Sequence, residues 1–303
     1  MNRHYHHHAH HADGKQKPPA STPVTLDLQH LVGHTHPIDE KRTIQCAKAI
    51  NLAYERAGII VGTSKNNATI RAIDDLVRHF HAKSPEDLLS ALESDSRHPA
   101  WPLFISKFTV NHTNFMREPH HFEQFKKFLK EQSGTPVVWC SAASTGEEPY
   151  SIVMAANEIG VRIKCIATDI DEAAIQKAKA GVYDIERVSP LGEARLRQFF
   201  LKGTDGFKGK VKVKPEVSSQ IEFGVFNLNE KIWPSTGLST GPFDAIFCRN
   251  VMIYFDRETQ IKLLARFARV IKKNGILLVG HSENIGPLTK DFKLLGQTVY
   301  TKP

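Results

Sequence analysis

Several short stretches of this chain carry residue types able to bind or transform a ligand. The loop Ser141-Ala142-Ala143-Ser144-Thr145-Gly146-Glu147-Glu148 joins a short apolar strand to a helix. Its small residues let a ligand approach the backbone, and the helix start offers free N–H groups. It lacks the G-x-G-x-x-G of a dinucleotide site, and its two glutamates would repel a pyrophosphate. A cationic ligand suits it better; the alternative is a tight β–α turn with a charged first helical turn. Asp169 stands 21 residues beyond Glu148, at the end of the next strand. An acid about 20 residues past such a loop can hydrogen-bond the ribose hydroxyls of an adenosine ligand. It can equally cap the helix that begins near Asp171.

Three further stretches have the same double character. In Asn111-His112-Thr113-Asn114-Phe115-Met116-Arg117-Glu118, the residues at 111, 113 and 117 can share one side of a helix or loop, or simply belong to a capped linker. Cys248-Arg249-Asn250-Val251-Met252-Ile253-Tyr254-Phe255-Asp256 places an Arg-Asn pair at the carboxyl end of a strand, inside an apolar run. A charge so placed needs a partner or a ligand. Gly280-His281-Ser282-Glu283-Asn284 ends another strand, and His281 is either a general base or a hydrogen-bonded structural histidine. There is no G-x-S-x-G elbow for a serine hydrolase. The four cysteines, Cys46, Cys140, Cys165 and Cys248, are too widely spaced for a zinc knot or a disulfide framework, and no metal site is expected in the folded part.

The elements that must position these residues fall into two grammars. Ile44, Ala47, Ile50, Leu52 and Tyr54 recur at helical spacing up to Gly58, a C-cap signal. A second helix is predicted over 67–81. A third opens at Ser84 as N-cap with Pro85 following, and a fourth spans 101–108. Residues 37 to about 105 therefore read as a small all-α domain. After Pro119 comes a helix bearing Phe122, Phe125 and Phe128; from about 136 strands and helices alternate. Strands are expected at 137–140, 162–167, 243–248 and 276–280, with helices at 147–160, 171–181 and 257–273. That alternation implies a parallel sheet covered on both faces, with ligands at the carboxyl ends of its strands. Between the halves, Lys210-Val211-Lys212-Val213-Lys214 alternates strictly, and residues 202–214 hold five lysines and one aspartate. A small β-subdomain over about 190–222 is expected, with Ile221-Glu222-Phe223 pairing antiparallel to the lysine strand.

The chain is 303 residues long with a formal charge of +8, 41% hydrophobic and 24% charged residues. No run approaches the ~18 apolar residues of a membrane helix, so no membrane insertion is expected. Residues 1–36 hold nine of the 16 histidines and are read as a disordered tail. The positive charge is mostly scattered lysine, without a nucleic-acid-binding motif, so no nucleic-acid partner is expected. With no signal peptide and no disulfide framework, the protein is read as cytoplasmic.

In their order along the chain, the stretches at 111–118, 141–151, 167–171 (Ala-Thr-Asp-Ile-Asp), 226–231 (Phe-Asn-Leu-Asn-Glu-Lys), 243–256 and 280–284 resemble those of the CheR family, from about residue 37 to 302. The resemblance implies a class I S-adenosylmethionine-dependent methyltransferase domain (α/β, Rossmann-like) over 106–303. It also implies an inserted antiparallel β-subdomain and a preceding all-α domain. It implies methyl transfer to glutamate side chains of chemoreceptors, forming methyl esters. Asn111, Thr113, Arg117, Glu148, Asp169, Asn227, Leu228, Cys248 and Arg249 should then line the cofactor site. Arg117, Arg249 and Tyr254 should face the transferring methyl group and the incoming glutamate. The partner would be the receptor's cytoplasmic domain, with a receptor tail peptide docking at Lys210–Lys214 by strand addition. One departure concerns the second helix, where relatives carry several arginines and this chain has Asp74 and Asp75 among Arg71, Arg78 and His79. It leaves open a methyltransferase for another protein or a small carboxylate, or a non-catalytic S-adenosylmethionine-binding module.

Overall fold

The computed structural model describes residues 38–231, 233 and 242–303, of which 39–303 form one compact unit. The expected histidine-rich tail lies outside the described residues.

Four helices come first: α1 (Glu40–Ala57), α2 (Asn66–His79), α3 (Pro85–Ser94) and α4 (Trp101–Phe108). Their ends follow local chemistry. Asp39 accepts the N–H of Arg42 and Ser84 accepts that of Asp87, each satisfying an orphan donor of a first turn. Ala49, Leu52, Ala53, Ile73, Leu76, Leu88, Leu89, Leu92 and Phe104 fill the core between them. The expected boundary near residue 105 falls inside α4, which continues to Phe108.

Then follow α5 (Pro119–Lys130), β1 (Val137–Cys140), α6 (Glu147–Glu158), β2 (Lys164–Asp169), α7 (Glu172–Ala180) and β3 (Val182–Asp184). Next are α8 (Ile185–Val188), α9 (Glu193–Phe199), β4 (Phe200–Lys202), β5 (Lys210–Val213), α10 (Pro215–Ser218) and β6 (Ile221–Val225). The chain ends with β7 (Phe243–Cys248), α11 (Arg257–Val270), β8 (Ile271–Val279), β9 (Lys293–Gly296) and β10 (Val299–Thr301). The seven-stranded sheet runs β6-β2-β1-β7-β8-β10-β9. The first five strands are parallel; β10 is antiparallel to both β8 and β9. Val138, Cys140, Ala245 and Phe247 bury one face of the sheet against α5 and α6, while Trp139, Ile246 and Cys248 bury the other against α11. That two-sided burial is why these strands read as continuous apolar runs rather than alternating ones.

The expected β-subdomain is corrected in two ways. Its three strands run β3-β5-β4, all antiparallel, so it begins at Val182 and draws on both sides of the 190 boundary. Ile221–Val225 is not part of it. This segment pairs parallel with β2 in the large sheet, Cys165 opposite Ile221 and Asp169 opposite Val225. The helical turn opened by Pro215 redirects the chain, and Gln220 locks the register by bonding the N–H groups of Ile163 and Cys165. On β5 the alternation holds as expected, with Val211 and Val213 buried and the lysines outward. The helix expected over 257–273 ends at Val270, because Ile271 leaves it to pair with Phe243.

Candidate functional site

The chain builds β1, moves outward to β2 and β6, then crosses back to lay β7 and β8 on the other side of β1. The reversal lies between β1 and β7, and a ligand crevice is expected at the carboxyl ends of those strands. A cavity of about 470 Å³ opens there, within the ~300–1,000 Å³ of ordinary ligand sites. Its lining brings together Asn111, Thr113, Arg117, Glu148, Asp169, Asn227, Leu228, Arg249 and Tyr254, from both the helical segment and the sheet.

The β1–α6 loop is shaped by Gly146, whose φ is +104°; a Cβ there would lie 2.5 Å from the Tyr183 hydroxyl. Ser144 is also left-handed, φ +50°, which turns its N–H onto Asp169 Oδ2 at 2.8 Å. Asp169 Oδ1 accepts the N–H of Asp171 at 2.9 Å. Asp169 is thus not the helix cap; Asp171 is, through the N–H of Ala174. Burial raises the Asp169 carboxyl to about 6, with the Asp171 charge adding to it against hydrogen bonds from Asp171, Ser144 and Ile170 N–H. Asp171 also anchors the 109–111 segment, accepting from Thr109 Oγ1 at 3.0 Å and from Asn111 Nδ2 at 2.6 Å. Ser144 Oγ donates to Asn111 Oδ1, so both ends of the Asn111 amide are engaged by protein.

Neither glutamate of the loop is a bare charge. Glu147 is fully buried and accepts from Thr145 Oγ1 and from Arg187 Nη2 at 2.6 Å. Arg187 also donates to the carbonyl of Thr113, tying the 111–118 segment to the small sheet's side of the molecule. Glu148 accepts from Arg249 Nε at 2.9 Å. The preference for a cationic ligand, inferred from two free glutamates, is therefore weaker than the sequence suggests.

Arg249 is almost wholly buried. Its Nη1 donates to the Arg117 carbonyl at 2.7 Å and meets His121 Nδ1 at 3.0 Å, while the guanidinium lies 5.1 Å from the Phe122 ring centre. Glu118 approaches the same guanidinium at 3.6 Å. Burial acts to raise the Glu118 carboxyl, but the nearby His121, a hydrogen bond from His281 and the Arg249 charge outweigh it and hold it well below the usual range. Glu118, His120 and His121 bring three ligating atoms within 4.8 Å of one another. The Arg249 guanidinium already supplies a cation there. Arg117, by contrast, is half-exposed and makes one hydrogen bond, from Nη1 to the His112 carbonyl. His281 is exposed, bonds Glu118 Oε1 at 2.6 Å and is not among the cavity-lining residues, so the geometry favours its structural reading.

Tyr254 sits on a one-turn 3-10 helix, Met252–Tyr254. Gln260 of α11 donates to the carbonyls of Met252 and Phe255, and Ile60, just after α1, donates to the carbonyl of Tyr254. Tyr54 on α1 bonds Asp256, which also caps α11. The helical segment therefore buttresses the strand-end turn. Asn227 has a similar bracing part: Nδ2 donates to the Arg56 carbonyl at 2.6 Å and Oδ1 accepts from Asn229 N–H. Leu228 packs with Trp139 in the core behind the cavity. Cys248 is fully buried and absent from the lining, because the last residue of β7 points into the α11 side.

Sequence reasoning did not single out Ser144, Asp171, His121 or Glu283. The signal for the first two was present in their places beside Gly146 and Asp169. Left-handed backbone at Met116, Glu118, Ser144 and Asn250 gathers around the same crevice; such strain collects at functional sites.

What sets this sheet apart from a dinucleotide-binding one is its far edge, where β10 runs antiparallel between β8 and β9, together with a first loop that offers no phosphate cradle. This is the architecture of the class I S-adenosylmethionine-dependent methyltransferases, and the chain is one of them. Residues 111–301 match the family model described as CheR methyltransferase, SAM binding domain, and the chain belongs to that family. It is 41% identical over 256 residues to the chemotaxis protein methyltransferase of Salmonella typhimurium, covering 82% of this chain and 86% of the relative. It is 41% identical over 253 residues to that of Escherichia coli K12 (82% and 87%), and 36% identical over 255 residues to chemotaxis protein methyltransferase 2 of Pseudomonas aeruginosa (82% and 89%). Among the described residues no helix is long and apolar enough to cross a membrane.

Proposed function

We propose that this methyltransferase acts in chemotaxis, esterifying glutamate side chains in the cytoplasmic domains of chemoreceptors, and that it works in the cytoplasm. The observation that carries the reading is the pairing of a half-exposed Arg117 with the fixed Arg249 beside Tyr254, at the edge of a cavity of ligand size. The names of the relatives support it.

The residues present fit S-adenosylmethionine. Asp169 keeps lone pairs for ribose hydroxyls, Thr113 and Glu148 line the same cavity, and Asn227 with Leu228 closes the side toward the helices. When bound, the cofactor supplies a methyl carbon on a positively charged sulfur, open to displacement by a nucleophile. A glutamate carboxylate, with a reference pKa of ~4.3, is already ionised near neutrality and needs no general base. The protein's task is then alignment, which alone can be worth several powers of ten in rate. Arg117 has donors free to take one carboxylate oxygen, leaving the other to attack. Arg249 is too firmly held by Glu148, His121 and the Arg117 carbonyl to clamp a substrate with its whole edge. It holds the place of Arg117 through the Arg117 carbonyl. Tyr254 borders the opening.

A receptor tail peptide would dock on the small sheet, but not by pairing with Lys210–Lys214. β5 is the central strand, hydrogen-bonded on both sides, so added strands must use the edges at β3 or β4. The lysines of β5 would supply charge to the peptide, as Lys212 and Lys210 face outward.

The test is transfer of labelled methyl from S-adenosylmethionine to a purified chemoreceptor cytoplasmic fragment, followed by mild alkali. Label that alkali releases supports a carboxyl ester. No label, from protein shown by calorimetry to bind the cofactor, rejects the receptor as substrate.

A further inference from the structure

β7 and β8 end side by side, at Cys248 and Val279, and each must turn away at the rim of the site. After Cys248 the chain passes through Arg249 to Asn250, which is left-handed at φ +58°. The N–H of Asn250 cannot continue the ladder in that conformation. It donates instead to Glu283 Oε1, at 2.6 Å. The same oxygen receives the N–H of Gly280 at 2.7 Å. One carboxylate oxygen thus fastens the ends of two neighbouring strands.

The chain makes room for this contact. A Cβ on Gly280 would crowd Asn250 Oδ1 and lie 2.8 Å from Glu283 Oε1, so a side chain there would push the Asn250 amide and the Glu283 carboxylate out of this arrangement. Glu283 is 5% exposed, and among the described residues its Oε2 has no hydrogen-bond partner. Burial pushes its carboxyl up, opposed by the hydrogen bonds it accepts from the N–H groups of Gly280 and Asn250. Asn250 leads directly into the turn that carries Tyr254. The outer side of that turn faces solvent, with Ile253 53% exposed. The carboxylate lies beneath it.

We propose that Glu283 is a positioning residue for methyl transfer, fixing the Asn250–Tyr254 turn and thereby the placement of Tyr254 at the reacting carboxylate. This rests on the reading that Arg249 and Tyr254 border the transfer site. The stretch 280–284 owes its chemistry to its glutamate, not to His281, which is exposed and bonded to Glu118.

Steady-state transfer to the receptor fragment, with calorimetry of S-adenosylhomocysteine, tests this on Glu283→Ala, Glu283→Gln, Tyr254→Ala and the Glu283→Ala/Tyr254→Ala pair. Glu283→Ala should lower kcat by about 100-fold, as a misplacement of about 1 Å does, with KM and product affinity little changed. Glu283→Gln keeps an oxygen for both N–H groups and should recover turnover to within about fivefold of wild type, the worth of one neutral hydrogen bond. The double variant should be no slower than the slower single one, since both act through one turn. Full turnover in Glu283→Ala overturns the proposal, as does loss of product binding alongside turnover in both Glu283 variants. If Glu283→Ala does not fold, Glu283→Asp replaces it; its shorter carboxylate cannot span both N–H groups, and unaltered kcat would overturn the proposal equally. Full turnover in Tyr254→Ala instead rejects the underlying site reading, independently of Glu283.

Discussion

Arg249 Nε donates to Glu148 Oε1 at 2.9 Å, with both side chains almost wholly removed from water. The pair joins the end of β7 to the first turn of α6 across β1. Taking two charges out of water is costly, and a single buried pair rarely offsets that cost unless further hydrogen bonds complete it. Here His121 and the carbonyl of Arg117 do so. The bridge is therefore part of how the crevice holds its shape.

Glu148→Ala should destabilise the fold by about 3 kcal/mol, because it leaves Arg249 buried with only the more distant Glu118 for a partner. A urea titration checks this through a lower midpoint at unchanged slope. Product affinity should fall in the same variant.

Arg117→Ala should behave in the opposite way. The side chain is half-exposed and its single hydrogen bond is to the His112 carbonyl, so the melting temperature should stay within about 2 °C of wild type. Turnover should drop by about 100-fold or more, through loss of the group that orients the carboxylate. Near-normal turnover would remove Arg117 from the mechanism.

Cofactor affinity should depend on pH through Asp169. With its carboxyl raised to about 6, the free folded protein holds this proton more tightly than the unfolded chain does. The group's contribution to folding is thus fully present below the unfolded value of about 3.9 and is lost as pH rises through 6. In the proposed cofactor site, ligand binding has the reverse sign, since ribose hydroxyls would donate to the ionised form. Affinity for S-adenosylhomocysteine should rise through pH 6 and level off above 7, falling by up to about fivefold from pH 6 to pH 5. Calorimetry across this range checks it, and Asp169→Asn should both weaken binding and flatten the profile.

Asp74 and Asp75 are less open to a partner than their place on α2 suggested. Arg42 makes two 2.7 Å bonds to Asp74, while Arg78 and Lys107 pair with Asp75. Their negative charge is largely answered within the protein. Replacing Asp74 by Arg should therefore lower stability by about 1 kcal/mol, by setting two guanidinium groups together where a two-pronged pair stood. Thermal melting at low and high salt measures it, with the loss smaller at high salt.

Much of this was legible in the chain itself. The cap at Ser84 and the apolar runs of β1, β2 and β7 mark their elements locally. The β-subdomain was misread because Ile221–Val225 carries the same apolar character for either sheet. Its parallel pairing to β2 is decided by Gln220 and by distant packing, which spacing does not show. For the site, Asp169 and Arg249 stand at strand ends and Arg117 and Glu148 at helix starts, and the structure brings all four to one cavity. Cys248 was misplaced by one step of strand alternation. Asn111 and Asn227 line the crevice yet spend their amides on bracing it, a distinction that depends on Asp171 and on the Arg56 carbonyl far away in the chain.

The central claim is that the transferred methyl ends on a carboxylate. The most direct measurement is peptide mass mapping of a chemoreceptor cytoplasmic fragment after reaction with this protein and S-adenosylmethionine. The account predicts methyl groups on glutamate side chains, absent when Arg117→Ala is used. Methylation at lysine, arginine or another nitrogen, or modification equally strong with Arg117→Ala, would contradict it.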